Sequence, residues 1–386
     1  MALGTTTGQF EDVFGSVSDP RMARTRRHEL LDILFIALTA MISGAEDYVT
    51  IAEYGRIKQD WFKRHLELPN GIPSHDTFQR VFARIDPKQL QKCLITWSEQ
   101  LRSRTDIPGE EVVALDGKTL RHSFDTAMGV GAIHIVSAWA SRARLCLGQI
   151  KVSEKSNEIT AVPALLAMLD VKDCLVTADA MNCQKATAQQ ITEQGGTFVL
   201  ALKGNQPTLF ENAKLFVEHA AKLKYEDITT RSVSTADKGH DRIETRTYRL
   251  IELPEGIAWE TEKQAWPGLR SIGIAQSTRQ IGDKITTDTR YYLTAIPTDP
   301  ANSAKRFARA VRWHWGIENS LHWVLDVCFS EDECRVHKDH GPENLAVIRH
   351  LALNLLGRDT TTKAGIKTRR LKAGWNEPYL EHLLLN

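Results

Sequence analysis

The sequence predicts an α/β protein: a mixed sheet with flanking helices, a β-rich insertion, and an N-terminal all-α domain. Three observations carry this expectation. Apolar residues recur at helical spacing from about residue 28 to 103. Short β-prone runs then alternate with helical ones up to about residue 203. Beyond them, to about residue 300, β-branched and aromatic residues alternate with polar ones.

Composition excludes several classes. A chain of 386 residues can bury a large core and holds about two or three domains. With 42% hydrophobic and 25% charged residues, it is neither disordered nor fibrous. Lys and Arg number 49 against 48 Asp and Glu. The formal charge of +1 argues against coating nucleic acid by overall charge, but leaves room for local basic patches. Six cysteines, at 93, 146, 174, 183, 328 and 334, form no C-x-x-C pair and read as buried thiols of a reducing cytoplasm. The first residues lack the basic region and apolar core of a signal peptide. The longest apolar stretch, 33–42, is too short to span a bilayer, which needs about 20 residues, so it reads as a buried helix. No internal repeat or low-complexity tract is visible.

Residues 1–20 read as loosely ordered. Residues 21–28 hold four arginines and a histidine, which suits a solvated helix entrance and a phosphate-contacting arm equally. Leu30, Leu31, Leu34, Ile36, Leu38 and Met41 mark a helix that stops at Ser43-Gly44. A second helix covers about 47–65. Asn70-Gly71-Ile72-Pro73 is a turn, and Ser74 is a suitable N-cap for a helix holding Phe78, Val81 and Phe82. Asp86-Pro87 breaks the chain before a last helix to about 103. Short helices joined by tight turns fit a DNA-binding helix-turn-helix, and they fit an ordinary bundle as well. We take 1–105 as this helical domain, with 104–111 as linker.

Strands follow near 112–116, 132–140 and 145–152, then a helix near 158–169. A strand at 174–179, a helix at 184–194 and a strand at 197–203 complete the pattern. The first three strands suit hairpin connections and the later ones crossovers, which gives a mixed sheet. Residues 106–204 form the first part of this core and 205–300 the β-rich insertion. Residues 301–386 supply the second part, with helices at 302–328 and 342–357 and a basic tail at 363–372.

Two runs carry the chemistry. V-V-A-L-D-G-K (112–118) and L-V-T-A-D-A (175–180) are apolar strands that each end on an aspartate, Asp116 and Asp179. Burying a lone acid at a strand end is costly unless a cation meets it. Two such ends suggest a shared cation site and phosphoryl chemistry. Asp-Gly is also a strong hairpin signal, so taken alone Asp116 suits a turn better than a ligand, and it gains weight as a ligand only from its pairing with Asp179. If the first and fourth strands are neighbours, the arrangement is that of ribonuclease-H-like folds. A third acid is then expected on a later helix. In 311–329, His314, Glu318, His322 and Asp326 form one polar stripe of a helix whose other faces are apolar, as in a buried helix. His314 or His322 could ligate zinc, but the outer pair is two turns apart and does not suit a single ion.

Further stretches complete a pattern: D-P-R (19–21), G-I-P-S-H-D-T-F (71–78), A-L-D-G-K-T-L-R-H-S (114–123) and E-K-S-N-E-I-T-A-V-P (154–163). T-A-D-A-M-N-C-Q-K (177–185), L-K-G-N-Q (202–206), H-W-G-I-E-N-S-L-H-W-V-L-D-V (314–327) and N-L-A-V-I-R-H-L-A-L-N-L-L (344–356) follow. The chain resembles DDE transposases with an RNase-H-like catalytic core. Within them it resembles the bacterial insertion-sequence group that includes the H-repeat-associated proteins of Rhs elements. The resemblance runs through nearly the whole chain.

The resemblance implies Asp116, Asp179 and Glu318 as catalytic and metal-binding acids: Asp116 bridging two Mg2+ (or Mn2+) ions, Asp179 and Glu318 completing one site each. It implies strand nicking at the ends of an insertion element, then strand transfer into target DNA. A nuclease that cuts without joining and a non-catalytic DNA-binding relic are the alternatives. Expected DNA contacts are Lys118, Arg121, His122, Lys203, His314 and His322. Lys155, Ser156 and Asn157 precede a helix start, where anions bind well. The implied partners are double-stranded DNA, as element ends and target, and a second copy of the chain on that DNA. No membrane is implied, and the expected location is the bacterial cytoplasm. Many relatives place Tyr, Arg and Lys around the glutamate, where this chain has Val311, His314 and Leu325. Asp326 and Glu331 are reserve candidates for the third acid.

Overall fold

In a computed structural model of the chain, the described residues are 8–104, 108–124, 129, 131–152, 157–226, 228–239, 242–255, 257–299 and 301–385. Lys155 and Ser156 lie outside them. Helix α1 (Gly8–Phe14) corrects the expectation of a loose start. Phe10, Val13 and Phe14 fall on one face by their spacing, and Phe10 stacks on Phe14 at 4.3 Å. Helix α2 (Leu30–Ile42) is buried nearly all round. The expected second helix is two, α3 (Tyr48–Ile57) and α4 (Gln59–Phe62), broken at Lys58. Asp47 caps α3 by accepting from Thr50 N at 2.8 Å, and Thr50 Oγ1 accepts from Asp47 N in return. Helix α5 (His75–Phe82) starts after Ser74, whose side chain makes no capping bond to the backbone. Helix α6 (Pro87–Ser103) is capped by Asp86 and has proline at its first turn.

Strands β1 (Val112–Thr119), β2 (His134–Ala140) and β3 (Leu145–Lys151) come next. Helix α7 (Glu158–Leu166), β4 (Leu175–Ala178), α8 (Lys185–Glu193) and β5 (Thr197–Leu202) follow as expected. Segment 205–300 opens with a helix, α9 (Pro207–Lys222). Strands β6 (Thr230–Gly239) and β7 (Arg242–Glu252), helix α10 (Ile257–Ala265), and strands β8 (Ser271–Ile281) and β9 (Lys284–Thr294) complete it. The predicted helix at 302–328 is not continuous. Helix α11 (Ser303–His314) stops at His314, a π-helical turn spans Glu318–His322, and α12 is Trp323–Phe329. Nor is it buried all round, since Trp315, Trp323 and Val327 are exposed. Helices α13 (Gly341–Arg358), α14 (Ile366–Trp375) and α15 (Glu377–Leu385) end the described chain. Among the described residues, no helix is long and apolar enough to cross a membrane.

The chain divides into two compact units. The first comprises Met1–Ile107, Gly117–Val152 and Glu318–Asn386. Its β2 and β3 pair antiparallel with a bulge at Ala138/Trp139. Helix α13 is apolar along its length, and its few polar side chains are anchors. Asn344 Nδ2 donates to Phe82 O (2.7 Å) and Ile85 O (2.9 Å). Asn354 Nδ2 donates to Ser98 Oγ and Cys146 O, while its Oδ1 accepts from Cys146 N at 2.8 Å. The basic tail is turned partly inward. Arg370 is buried, donates to Met41 O and Ala45 O, and lies over the Phe329 ring.

The second unit comprises Pro108–Asp116 and Ser153–Ile317. Its strand order is β1-β4-β5-β9-β8-β7-β6. The pairs β1–β4 and β4–β5 are parallel, and the pairs from β5 to β6 are antiparallel. Strand β9 pairs directly with β5, so the later strands prolong this mixed sheet. Helix α11 lies on it through Phe307, which meets Tyr292 and Tyr248 edge-on. Gly273 makes this approach possible, because a Cβ there would stand 2.5 Å from the Phe307 ring. Gly273→Ala therefore overpacks the contact. It should destabilise the protein by about 1–3 kcal/mol, read by denaturant unfolding.

Candidate active site

The strand register sets two carboxylates side by side in the second unit. Ala114 pairs with Thr177 and Leu115 with Ala178. The next residues are Asp116 and Asp179. Side chains alternate along a strand, so each aspartate shares the sheet face of Ala114 and Thr177. Strand β1 runs on through Gly117 to Thr119, so Asp116 is in a strand and not in a hairpin turn. Asp179 is held by its own loop. Its Oδ1 accepts from Asn182 N and from Asn182 Nδ2, each at 3.0 Å. Asn182 is fully buried and also donates to Glu158 Oε2 at 2.9 Å.

Helix α11 brings His314 to the same face, where its Nδ1 shares a hydrogen bond of 2.9 Å with Thr177 Oγ1. Burial pushes the imidazole down to about 4, against the opposing pull of the Asp179 charge, so it is neutral near pH 7. Lys203 is exposed just past β5. The L-K-G-N-Q loop that carries it docks on the loop after Asp179, with Asn205 Nδ2 donating to Ala180 O and Gln206 Nε2 to Cys183 O.

In the first unit, Glu318 opens the π-helical turn with its side chain 55% exposed. His322 Nδ1 lies 3.2 Å from Glu318 Oε2. An ionised carboxylate only accepts, so this nitrogen carries the proton. Burial lowers the His322 pKa and Glu318 partly opposes it. Lys118 is mostly buried and pairs with Asp326 and with Glu331, the latter at 2.8 Å. Asp326 and Glu331 are thus the counter-charges of Lys118. Arg121 pairs with Asp332 at 3.2 Å, and His122 Nδ1 meets Asp332 O. Burial alone would raise the Glu331 carboxyl. Lys118, then Arg349 and His350, outweigh it and hold the group below the usual carboxylate range.

Oxygen donors on adjoining strand ends suit a hard divalent cation, and the Asn182 bonds fix the Asp179 carboxylate without neutralising it.

Comparison with known proteins decides the family. The model of the Transposase DDE domain matches residues 107–355, and a DDE_Tnp_1-associated model matches residues 11–98. The chain belongs to the DDE transposase family. It is 38% identical to "H repeat-associated putative transposase YhhI" of Escherichia coli (strain K12), over 95% of each chain. It is also 38% identical to "Putative transposase YncI" of Escherichia coli O157:H7, over 97% of this chain and 93% of that protein. A cryo-EM structure of the piggyBac transposase synaptic complex with hairpin DNA gives a TM-score of 0.40 at 12% identity. It covers 98% of this chain and 77% of that one, and a likeness so low supports nothing further.

Three features of this DDE transposase chain escaped the sequence reading. Asn182 was signalled only by the Asp-x-x-Asn spacing. Thr177 looked like one more strand residue. The pairing of Lys118 with Glu331 spans far too many positions for any local pattern. Lys118→Met leaves Glu331 buried without its main partner and should destabilise the protein by about 3 kcal/mol or more. The sign with pH also changes. The depressed Glu331 pKa contributes stability above the ordinary carboxylate range, lost as pH falls through the folded-state value. In the variant, protonation should relieve the buried charge, so the deficit narrows as pH falls; melting curves from pH 7 to 4 read both effects.

Proposed function

We propose that the protein is an active transposase that uses divalent metal to cut an insertion element from duplex DNA and join it to a target. The observation that carries this reading is the parallel β1–β4 register, whose last pair, Leu115 and Ala178, is followed on each side by an aspartate, in a chain of the DDE transposase family. Asp116 and Asp179 hold the metal together with Glu318, the acid that the sequence resemblance assigns. When bound there, divalent ions would activate the attacking oxygen and neutralise charge on the leaving one. The chain's own residues do the rest. The Asn182 bonds keep the Asp179 carboxylate aimed, and the protonated nitrogen of His322 orients Glu318. Exposed Lys203 and Arg121 meet DNA phosphates. Lys118 is committed to Asp326 and Glu331, which favours a bracing role over a phosphate contact. The neutral His314, held by Thr177, adds no charge of its own beside the acids and presents a donor or acceptor to the substrate. We further infer a homodimer on paired element ends, acting in the bacterial cytoplasm.

The test is nicking of a supercoiled plasmid bearing the element ends, with Mg2+ or Mn2+. Asp179→Asn and Glu318→Gln should each lower nicking at least about 100-fold, with DNA affinity within about threefold of the parent. Retention of nicking by either variant overturns the assignment. Pre-cut ends offered with a target plasmid separate a transposase, which joins them, from a nuclease, which does not.

A further inference from the structure

We propose that a basic cleft in the first unit, between the 21–28 loop and α5, binds the phosphate backbone of duplex DNA. The inference rests on the reading that the protein acts on DNA, and it adds a site remote in sequence from the acids. The cleft has a volume of about 590 Å³. Arg21, Arg27, His28, Arg80 and Arg84 line it, with hydroxyls from Thr25, Ser74 and Thr77, and no acid is among the lining residues.

The loop wall is built rather than merely charged. Asp19 accepts from Arg21 N (3.0 Å), Nε (2.9 Å) and Nη2 (2.7 Å), and Arg21 Nη2 also donates to His28 O at 2.7 Å. Asn70 Nδ2 donates to Arg27 O at 2.6 Å and ties the loop to the turn before α5. On the other wall, Arg80 Nε donates to Asp76 O at 3.1 Å, which fixes its guanidinium. Asp19 is shared by Arg21 and Arg26. Among the described residues, Arg27, Arg80 and Arg84 have no carboxylate partner. Three unneutralised guanidiniums facing one cleft repel one another, and an anion relieves that repulsion. His28 registers the field, since burial and then the Arg21 charge lower its pKa.

The occupant is a polyanion rather than a lone ion. The cations stand on two walls of the cleft, and duplex DNA presents a charge about every 1.7 Å of its axis. Arginine forks match phosphate oxygens in pairs. The overall charge of +1 means that such binding must be local.

The test uses the full chain, a mixed-sequence 30-base-pair duplex and fluorescence anisotropy at several salt concentrations. Arg27→Ala/Arg84→Ala removes two exposed side chains and leaves the bond to Arg27 O possible. Affinity should fall about tenfold, and the slope of log K against log salt should shrink by roughly two, at about 0.9 per phosphate contact. Arg27→Lys/Arg84→Lys should restore most of the slope. Unchanged melting temperature shows that the variant is folded. If the parent binds and nicks DNA while the double variant keeps its affinity and slope, the cleft is overturned and the transposase reading stands. If binding depends on the cleft but the parent never nicks with either metal, the cleft stands and the activity falls. Failure of the parent to bind any duplex, or equal binding of a single-stranded RNA of the same length, overturns the cleft as a duplex-DNA site.

Discussion

The parallel pairing of β1 with β4 is the constraint on which the second unit depends. Leu115 meets Ala178, and the two following residues are both acidic. A slip of one position would send one aspartate to the opposite face of the sheet. The register is protected by what surrounds it: fully buried Val112, Leu175 and Val199 form one cluster with Phe307 of α11. The same cluster seats the helix that delivers His314 to Thr177. Packing of ordinary apolar residues thereby determines where charge is concentrated.

The two units manage their acids by different means. Asp179 is steadied by neutral donors from Asn182, which leaves its negative charge intact for a cation. Glu331 is steadied by full charges, Lys118 and Arg349, in a site with almost no solvent contact. An ion pair of that kind adds little net stability over an apolar filling, but it admits very few alternative packings. It ties the end of β1 to the segment after α12, a link between residues more than two hundred positions apart.

Much of this architecture was legible in the sequence because it is local. Helix and strand periodicity gave β1 to β5 and their intervening helices nearly to the residue, and Asp86-Pro87 marked the start of α6. The loose start failed because three apolar positions, Phe10, Val13 and Phe14, make too short a signal for a helix that tertiary contacts complete. The long helix at 311–329 failed because hydropathy cannot register a change from α to π winding at Glu318. The exposed Trp315 and Trp323 then defeated the inference that a helix rich in large apolar residues is buried. At the site, acids ending apolar strands were visible as an energetic anomaly. Their supporting groups were not, since Asn182 and Thr177 are unexceptional residues until folding gives them partners.

The asparagines of α13 have a bearing on interrupted copies of such a gene. Asn344 and Asn354 satisfy main-chain carbonyls at Phe82, Ile85 and Cys146, groups from two separate stretches of the first unit. A product terminated before residue 341 would strand those carbonyls in an apolar interior and uncover the face of α2 that α13 shields. Damage near the C-terminus therefore reaches the amino-terminal helices, which lose both the donors and the apolar cover that α13 gives them.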